Sequence, residues 1–367
     1  MYKEVGVLLL LVLLEFSGQV LGECRFSHDY IQNSLGTFTT NDVHGKLQLL
    51  RFGSVDEGTI LGVLCREDGG KIVTHNIGCR RGSLNPIDPI RCVDTIVAKV
   101  HLTDKDNSCP ASMYRIGIEI QNEFLELYRA CYDKGNVRSY FSEATIYRKK
   151  IHSKLKARPR FSTDELITPA QEASFQTKNI YKTFVKTYGS NQKYMKKDEN
   201  GRPLLLINRG HLTASSDMLF ADQMTSTFKY LNVVPQFESI NSGNWMQIEH
   251  WVGNNIPEKS FVHLRTGAFG LLSLQDTKSK PTMQPAFLIP DKKQNPVPEW
   301  MYKIVRDANN RLLHVFLTYN NIFNLTKPKA HECCKTVACP LKLEDSSSLG
   351  FTYCCEPQQF VECVHRK

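Results

Sequence analysis

From Cys24 to Cys131 the chain runs as short apolar bursts broken by Gly, Pro, Asn and Asp. Residues 60–65 and 113–120 have the length and composition of strands, and 92–100 fits one imperfectly. Residues 124–131 suit either a short strand or a short helix. The pattern changes after residue 140. Across 169–188, Phe175, Ile180, Phe184 and Tyr188 recur at helical spacing, and Lys178, Lys182 and Lys186 follow one another every four residues on a stripe of their own. Residues 204–207 read as a short buried strand followed by the turn formers Asn208, Arg209, Gly210 and His211. A second strand over 230–234 is expected to stop at Pro235. A helix over 243–252 follows, with Asn241 just ahead of it. Further strands are expected at 269–274 and 312–319.

At the start of the chain, Lys3 precedes an apolar run over 7–14, and Val20, Leu21 and Gly22 resemble a signal-peptidase boundary. The run is too short to span a bilayer, which predicts a secreted chain beginning near Glu23 with no membrane role. All 12 cysteines lie beyond that point, and an even number in an exported chain predicts six disulfides. A metal site built from Cys333, Cys334 and Cys339 with Cys354, Cys355 and Cys363 is the rival reading. Asn324, Leu325 and Thr326 form a possible glycosylation acceptor. The expected organisation is a leader at 1–22, a β-rich disulfide-containing module at 23–140, a mixed α/β domain at 141–332 and a Cys-rich tail at 333–367. The overall class is α+β.

Charge adds a partner to this outline. Residues 141–210 hold 15 Lys/Arg against 6 Asp/Glu, a local net charge of +9 that equals the net charge of the whole chain. An anionic polymer is the natural partner for such a segment. The expected surface comprises Lys154, Lys156, Arg158, Arg160, Lys178, Lys182, Lys186, Lys193, Lys196 and Lys197. The lysine stripe alone is equally compatible with a solvated helix face.

The chemistry-bearing residues cluster at Arg209, Gly210 and His211, followed by Asn232, Gln236, Asn241, Trp245 and Glu249. A neutral His can take a proton from a water attacking phosphorus. An Arg beside it can offset charge on phosphate oxygens, and Gly lets the backbone turn between them. Asn241 and Glu249 offer hard oxygen donors suited to a hydrated magnesium ion, eight positions apart and so able to face one cavity from a single helix. Taken singly, His211 could be a surface residue, Asn241 a helix cap, Glu249 an exposed carboxylate and Trp245 core packing. Their order behind a basic segment favours the joint reading.

The segments NRGHLTASSDM, TFKYLNVVPQ and NSGNWMQIE resemble the DNA/RNA non-specific endonuclease family, whose ββα-metal core normally carries Asp-Arg-Gly-His. The strong likeness spans 202–252; a weaker likeness of layout, to secreted insect double-strand nucleases, salivary endonucleases and nucleic-acid-binding salivary proteins of tsetse flies, covers most of the mature chain. The resemblance implies a ββα-metal core within the mixed domain and secretion into saliva. It also implies that His211 is the general base, Arg209 a phosphate-side partner, Asn241 the direct ligand of Mg2+ or Mn2+, Glu249 a group that orients metal-bound water, and Asn232 a support. It further implies an upstream transition-state arginine, with Arg158 the first choice and Arg160 the rival. Asn208 stands where the family has Asp, so one negative charge near the cation is missing, and an amide does not replace it.

Three functions remain open at this point. The favoured one is a secreted, sequence-nonspecific binder of double-stranded DNA, RNA and single strands that needs no cofactor to bind and retains weak metal-dependent cleavage. The others are a fully active endonuclease and a catalytically dead binding protein. No Walker loop, dinucleotide-binding Gly pattern, HExxH motif or nucleophile elbow is present.

Overall fold

The computed structural model describes residues 22–364, other than 43, 104, 121 and 152–154. The expected leader up to residue 21, and Lys154 of the expected basic surface, lie outside the described residues.

Five antiparallel strands form a first sheet: β1 (Thr37–Asn41), β2 (Leu47–Leu49), β3 (Ile60–Arg66), β4 (Ile72–Arg80) and β5 (Ser83–Asn85), in the order β2-β1-β3-β4-β5. The chain then enters a second sheet through β6 (Lys99–Leu102), β7 (Ser112–Ile120), β8 (Glu123–Asp133) and β9 (Arg138–Tyr147). It leaves that sheet for helix α1 (Thr177–Tyr188), a separate hairpin of β10 (Ile207–His211) and β11 (Val233–Phe237), and helix α2 (Ala221–Ser226) between those two strands. A π-turn (Asn241–Trp245) runs directly into helix α3 (Met246–Asn254). The second sheet is completed by β12 (Phe261–Phe269), β13 (Trp300–Asp307), β14 (Leu312–Tyr319), β15 (Thr336–Val337) and β16 (Thr352–Cys355). Its nine strands lie in the order β15-β16-β14-β13-β12-β9-β8-β7-β6. Strand β9 therefore crosses the 140/141 boundary expected from the sequence, and β15 and β16 join the tail to the same sheet.

Alternation along the strands decides what lies on each face. In β9 and β12, Ser142, Ala144, Ile146, Val262, Leu264 and Ala268 are buried, and the apolar ones pack with Leu231, Val233, Trp245 and Ile248 of the hairpin and its helix. Glu143, Thr145, Tyr147, His263 and Arg265 alternate with them and face the other way. The hairpin and α3 thus sit on one face of the nine-stranded sheet, and β10, β11 and the following helix make the ββα unit expected from the sequence. Helix α1 buries Ile180, Phe184 and Tyr188 and leaves its three lysines exposed.

The first sheet is tied to this core through α2. Phe220 enters the aromatic cluster of Phe26, Tyr30 and Phe38, Thr37 Oγ1 donates to Asp222 Oδ2 at 2.8 Å, and Gln223 Nε2 donates to the Leu50 carbonyl at 2.9 Å. All 12 cysteines pair, as Cys24–Cys79, Cys65–Cys92, Cys109–Cys131, Cys333–Cys363, Cys334–Cys355 and Cys339–Cys354. The tail closes three bridges on itself, which removes the rival Cys-metal reading.

Four local expectations are corrected. Asn208, Arg209, Gly210 and His211 are strand rather than turn, held extended by pairing with Gln236, Pro235, Val234 and Val233. Leu204 and Leu205, expected to be buried strand residues, are 40% and 52% exposed, because β10 starts only at Ile207. Pro235 lies inside β11 because the hairpin has two strands only, so one edge of β11 needs no ladder donor. The strand expected at 269–274 is broken at Gly270, whose φ of 72° turns the chain after β12.

Candidate active site

The hairpin positions its residues by close approach. A Cβ on Gly210 would stand 2.2 Å from Gln236 Oε1, so only Gly admits the fully buried Gln236 side chain across the ladder. Just past His211, Asn232 clamps the chain: its Nδ2 donates to the carbonyls of Thr213 (2.9 Å) and Thr227 (3.0 Å), and its Oδ1 accepts from Thr213 N (2.9 Å). Leu212 N adds a bond to the Asn232 carbonyl at 2.9 Å. Every side-chain atom of Asn232 that can bond is thereby used in holding the segment after His211.

Around His211 the wall is aromatic. Its ring lies 5.3 Å from Phe161 and 4.9 Å from Phe228. The guanidinium of Arg209 sits over Phe161 at 4.4 Å and donates to Tyr230 Oη at 3.2 Å, while Arg158 lies 5.9 Å from the Phe228 ring. The imidazole keeps some solvent contact, yet its Nε2 is sealed and has no hydrogen-bond partner. Burial, followed by the positive charges of Arg158 and Arg209, pushes its pKa down to about 3. His211 is therefore neutral, with a ring nitrogen uncommitted to any protein group. Arg158 acts on it directly, whereas Arg160 is exposed and makes no contact with it among the described residues.

Glu249 occupies the second half of the site. It lines a cleft of about 650 Å3 together with Arg158, Lys149, Asp217 and Phe228. Burial pushes its carboxyl up to about 7; Asp217 acts in the same direction, and Lys303, Trp245 and Lys149 oppose it. Trp245 is core, as its alternative reading held, and its Nε1 makes no regular hydrogen bond but stands close enough to favour the charged carboxylate. Lys303 is fully buried, donates to Thr266 Oγ1 at 2.9 Å and lies 5.2 Å from the Trp245 ring. Lys149 is buried too and donates to the Met218 carbonyl at 3.1 Å and to the Ser216 carbonyl.

Asn241 opens the π-turn with helical φ and ψ of −59° and −42°, and its side chain makes no hydrogen bond, so it does not cap the helix. The turn is gripped from the tail. Asn244 Nδ2 donates to the carbonyls of Glu344 (2.8 Å) and Gly350 (2.7 Å), and its Oδ1 accepts from Glu344 N at 3.1 Å. Among the described residues no hydrogen bond joins Asn208 or Asn241 to His211 or Glu249. Strand pairing sets Asn208 directly across from Gln236.

The oxygen donors here suit a hard cation that keeps most of its water. Two triads of potential ligands, Cys24/Glu57/Cys79 and Cys65/Glu67/His75, are found elsewhere among the described residues, but both use disulfide sulfur. Asn241 offers an amide oxygen and Glu249 a carboxylate, donor types that Mg2+ takes alongside water.

Lys149, Asp217, Lys303, Asn244, Phe161 and Phe228 were not foreseen as site residues. They come from segments far apart in sequence and carry no local motif. Lys156, Arg158, Arg160, Lys178, Lys182, Lys186, Lys193, Lys196 and Lys197 are all exposed. Lys186 is paired with Asp291, and Lys197 lies over Tyr181 at 4.9 Å.

The family model described as DNA/RNA non-specific endonuclease matches residues 109–360. The chain belongs to that family. Nucleases of this non-specific endonuclease family generally depend on a divalent metal. The match leaves out the whole of the first sheet. Among relatives, the salivary endonuclease of Lutzomyia longipalpis is 27% identical over 327 residues, 85% of this chain and 74% of the relative. Salivary protein Tsal1 of Glossina morsitans morsitans is 25% identical over 302 residues, 79% and 73% of the two chains. The solved structure of EndoG in its complex with EndoGI covers 57% of this endonuclease-family chain and 76% of that one, at 18% identity and a TM-score of 0.34.

Proposed function

We propose that the protein is a secreted, sequence-nonspecific nucleic-acid-binding protein with attenuated metal-dependent endonuclease activity. The observation that carries this reading is His211, neutral and with an uncommitted Nε2, between the two cations Arg158 and Arg209. Burial is the first cause of the low imidazole pKa; a phosphodiester seated on those arginines neutralises the charges that add to it, so substrate itself makes His211 a stronger base. A ring nitrogen of His211 then takes the proton of the attacking water as its oxygen bonds to phosphorus. The P–O3′ bond breaks, giving a 5′-phosphate and a 3′-hydroxyl protonated from solvent. Arg158 and Arg209 offset the charge that builds on the phosphoryl oxygens. Asn241 would hold Mg2+ or Mn2+ directly and Glu249 through water; bound there, the cation supplies further charge stabilisation to the phosphate.

Asn208 supports the attenuation, because the family's carboxylate is an amide here. The exposed lysines of α1 and the following loop support binding that needs no metal. The salivary relatives support secretion, and among the described residues no helix is long and apolar enough to cross a membrane. Asn324 lies in a loop beside Leu325, which is 84% exposed, so glycosylation there belongs to the same reading.

The test compares wild type, Asn208→Asp and His211→Ala in magnesium-dependent cleavage and magnesium-free binding. Asn208→Asp is expected to raise cleavage, and His211→Ala to abolish it while most affinity remains. Efficient wild-type turnover unchanged by Asn208→Asp would identify a fully active nuclease. Absence of cleavage in all three folded, binding-competent proteins would identify a pure binder.

A further inference from the structure

A cleft of about 730 Å3 lies on the face of the nine-stranded sheet opposite the hairpin. It is walled by the outward side chains of β8, β9, β12 and β13 and by the segment after β2. Four arginines reach it: Arg51, Arg129, Arg265 and Arg306. The carboxylates there are already engaged. Glu126 pairs with Arg129 at 2.7 Å and also with Arg115, and Glu143 pairs with Arg265 at 2.6 Å.

Among the described residues, two of the four arginines have no carboxylate partner. Arg51 spends Nη2 on the carbonyls of Thr145 (3.2 Å) and Leu127 (3.5 Å), and its Nη1 is buried without any partner. Arg306 donates only to the Asn310 carbonyl, at 3.2 Å. Burial comes first in holding both guanidinium pKa values below the ordinary one, and Arg265 adds repulsion at Arg306. A buried donor without an acceptor is costly, so this wall favours an anion that supplies one. At the same end, the guanidinium of Arg51 lies 5.3 Å from the Tyr147 ring, which Phe52 and Phe261 support at 5.0 and 5.4 Å.

We propose that this cleft is a second nucleic-acid site, which takes a single-stranded segment with phosphates on Arg51, Arg265 and Arg306 and a base against Tyr147. The forked guanidinium donors match phosphate oxygens, and an aromatic platform beside them matches a nucleobase. A sulfated polysaccharide would use the arginines but has no planar base for Tyr147, so the platform decides between the two polymers. The site is separate from the hydrolytic centre, since alternation along β9 and β12 sends its side chains away from the hairpin. A long strand could therefore be held at one face while it is cleaved at the other, or two strands could be bridged.

The test uses the full chain without divalent metal and a thymidine oligonucleotide of about eight residues, within the span that single-strand binders cover. Wild type is expected to bind two equivalents, and Arg51→Gln/Arg306→Gln only one. A 4-thiothymidine version should crosslink to the peptide carrying Tyr147 in wild type and not in the double variant. Because Arg51 also tethers backbone, Arg306→Glu alone provides the second variant, with a loss of about tenfold or more expected in the weaker equivalent. In Arg306→Glu, loss of one phosphate-binding cation should lower the slope of log affinity against log salt for that weaker equivalent by about 0.7, the value per phosphate on single strands. One equivalent in wild type that survives every substitution would overturn the second site and leave the hydrolytic reading standing. Failure to bind any oligonucleotide would overturn both. Binding of a heparin-derived oligosaccharide that depends on Arg51 and Arg306, without oligonucleotide binding there, would reassign the cleft to sulfated polysaccharide.

Discussion

The protonation state of His211 can be read from stability alone, without substrate or metal. Its native pKa is about 3 against 6.5 for the free side chain. Between those values the unfolded chain holds one more proton than the native protein, so this group makes stability rise with pH. Its contribution is fully present above pH 6.5 and is lost as pH falls towards 3. The slope is about 1.4 kcal/mol per pH unit, or about 2.7 kcal/mol between pH 6.5 and 4.5. That is an upper value, because the ring keeps some solvent contact. Glu249 acts with the opposite sign: its native pKa near 7 lies above the ordinary 4.5, so its contribution is present below 4.5 and fades as pH rises through 7. Comparing wild type with His211→Gln cancels that shared background. Urea unfolding with disulfides intact, at half-unit steps from pH 4.5 to 7, should show the wild-type advantage shrinking steadily on acidification. Parallel curves would mean that His211 titrates near its ordinary value in the native protein, and the sealed, neutral base would be wrong.

Three other perturbations test the scaffold. Gly210→Ala should destabilise by about 1 to 3 kcal/mol, as overpacking against a buried side chain does, and adding Gln236→Ala should recover part of the loss in thermal unfolding. Asn244→Ala removes the three bonds to the tail and should cost about 3 kcal/mol at roughly 1 kcal/mol each; metal-dependent cleavage should fall further than duplex affinity. Lys178→Gln/Lys182→Gln should lower the salt slope of duplex binding by about 1.8, at about 0.9 per phosphate contact, whereas Lys186→Gln, already paired with Asp291, should change it less.

The elements that local pattern defines were legible. Leu312–Tyr319 has the same bounds as the strand expected from its apolar run, and the helix carrying Ile180, Phe184 and Tyr188 follows from their spacing. The ββα order was legible too, although its first strand was displaced. Asn208, Arg209, Gly210 and His211 are turn-forming residue types, and only pairing with β11 keeps them extended. The close packing of Gln236 against its diagonal neighbour Gly210, which leaves no room for a Cβ there, has no local signature. Lys149, Asp217 and Lys303 converge on Glu249 from three separate segments, so charge spacing along the chain could not reveal them. Part of the positive charge of 141–210 is spent inside the fold: Arg148 Nη1 donates to the Gly253 and Asn254 carbonyls, Lys149 is buried, and Lys150 pairs with Glu258.

The hairpin also separates two tasks that the motif presents as one. Arg209 and His211 both contact Phe161, so they share one face of β10, and alternation places Asn208 on the other. There Asn208 faces Gln236, whose amide oxygen and nitrogen are both buried and unpartnered. From Gln236 the chain leads through Phe237 and a single helical turn to Asn241. A carboxylate at position 208 could bond the Gln236 amide and place its charge towards the start of the π-turn rather than towards the imidazole. Asn208→Asp should therefore shift the Mg2+ concentration needed for half-maximal cleavage downwards, with the pH dependence of cleavage at saturating Mg2+ left in place. Metal titration of the initial rate at fixed substrate, repeated at pH 5.5, 6.5 and 7.5, separates the two effects. An unchanged metal requirement with a displaced pH profile would place position 208 on the base side of the strand, against the register that pairs it with Gln236.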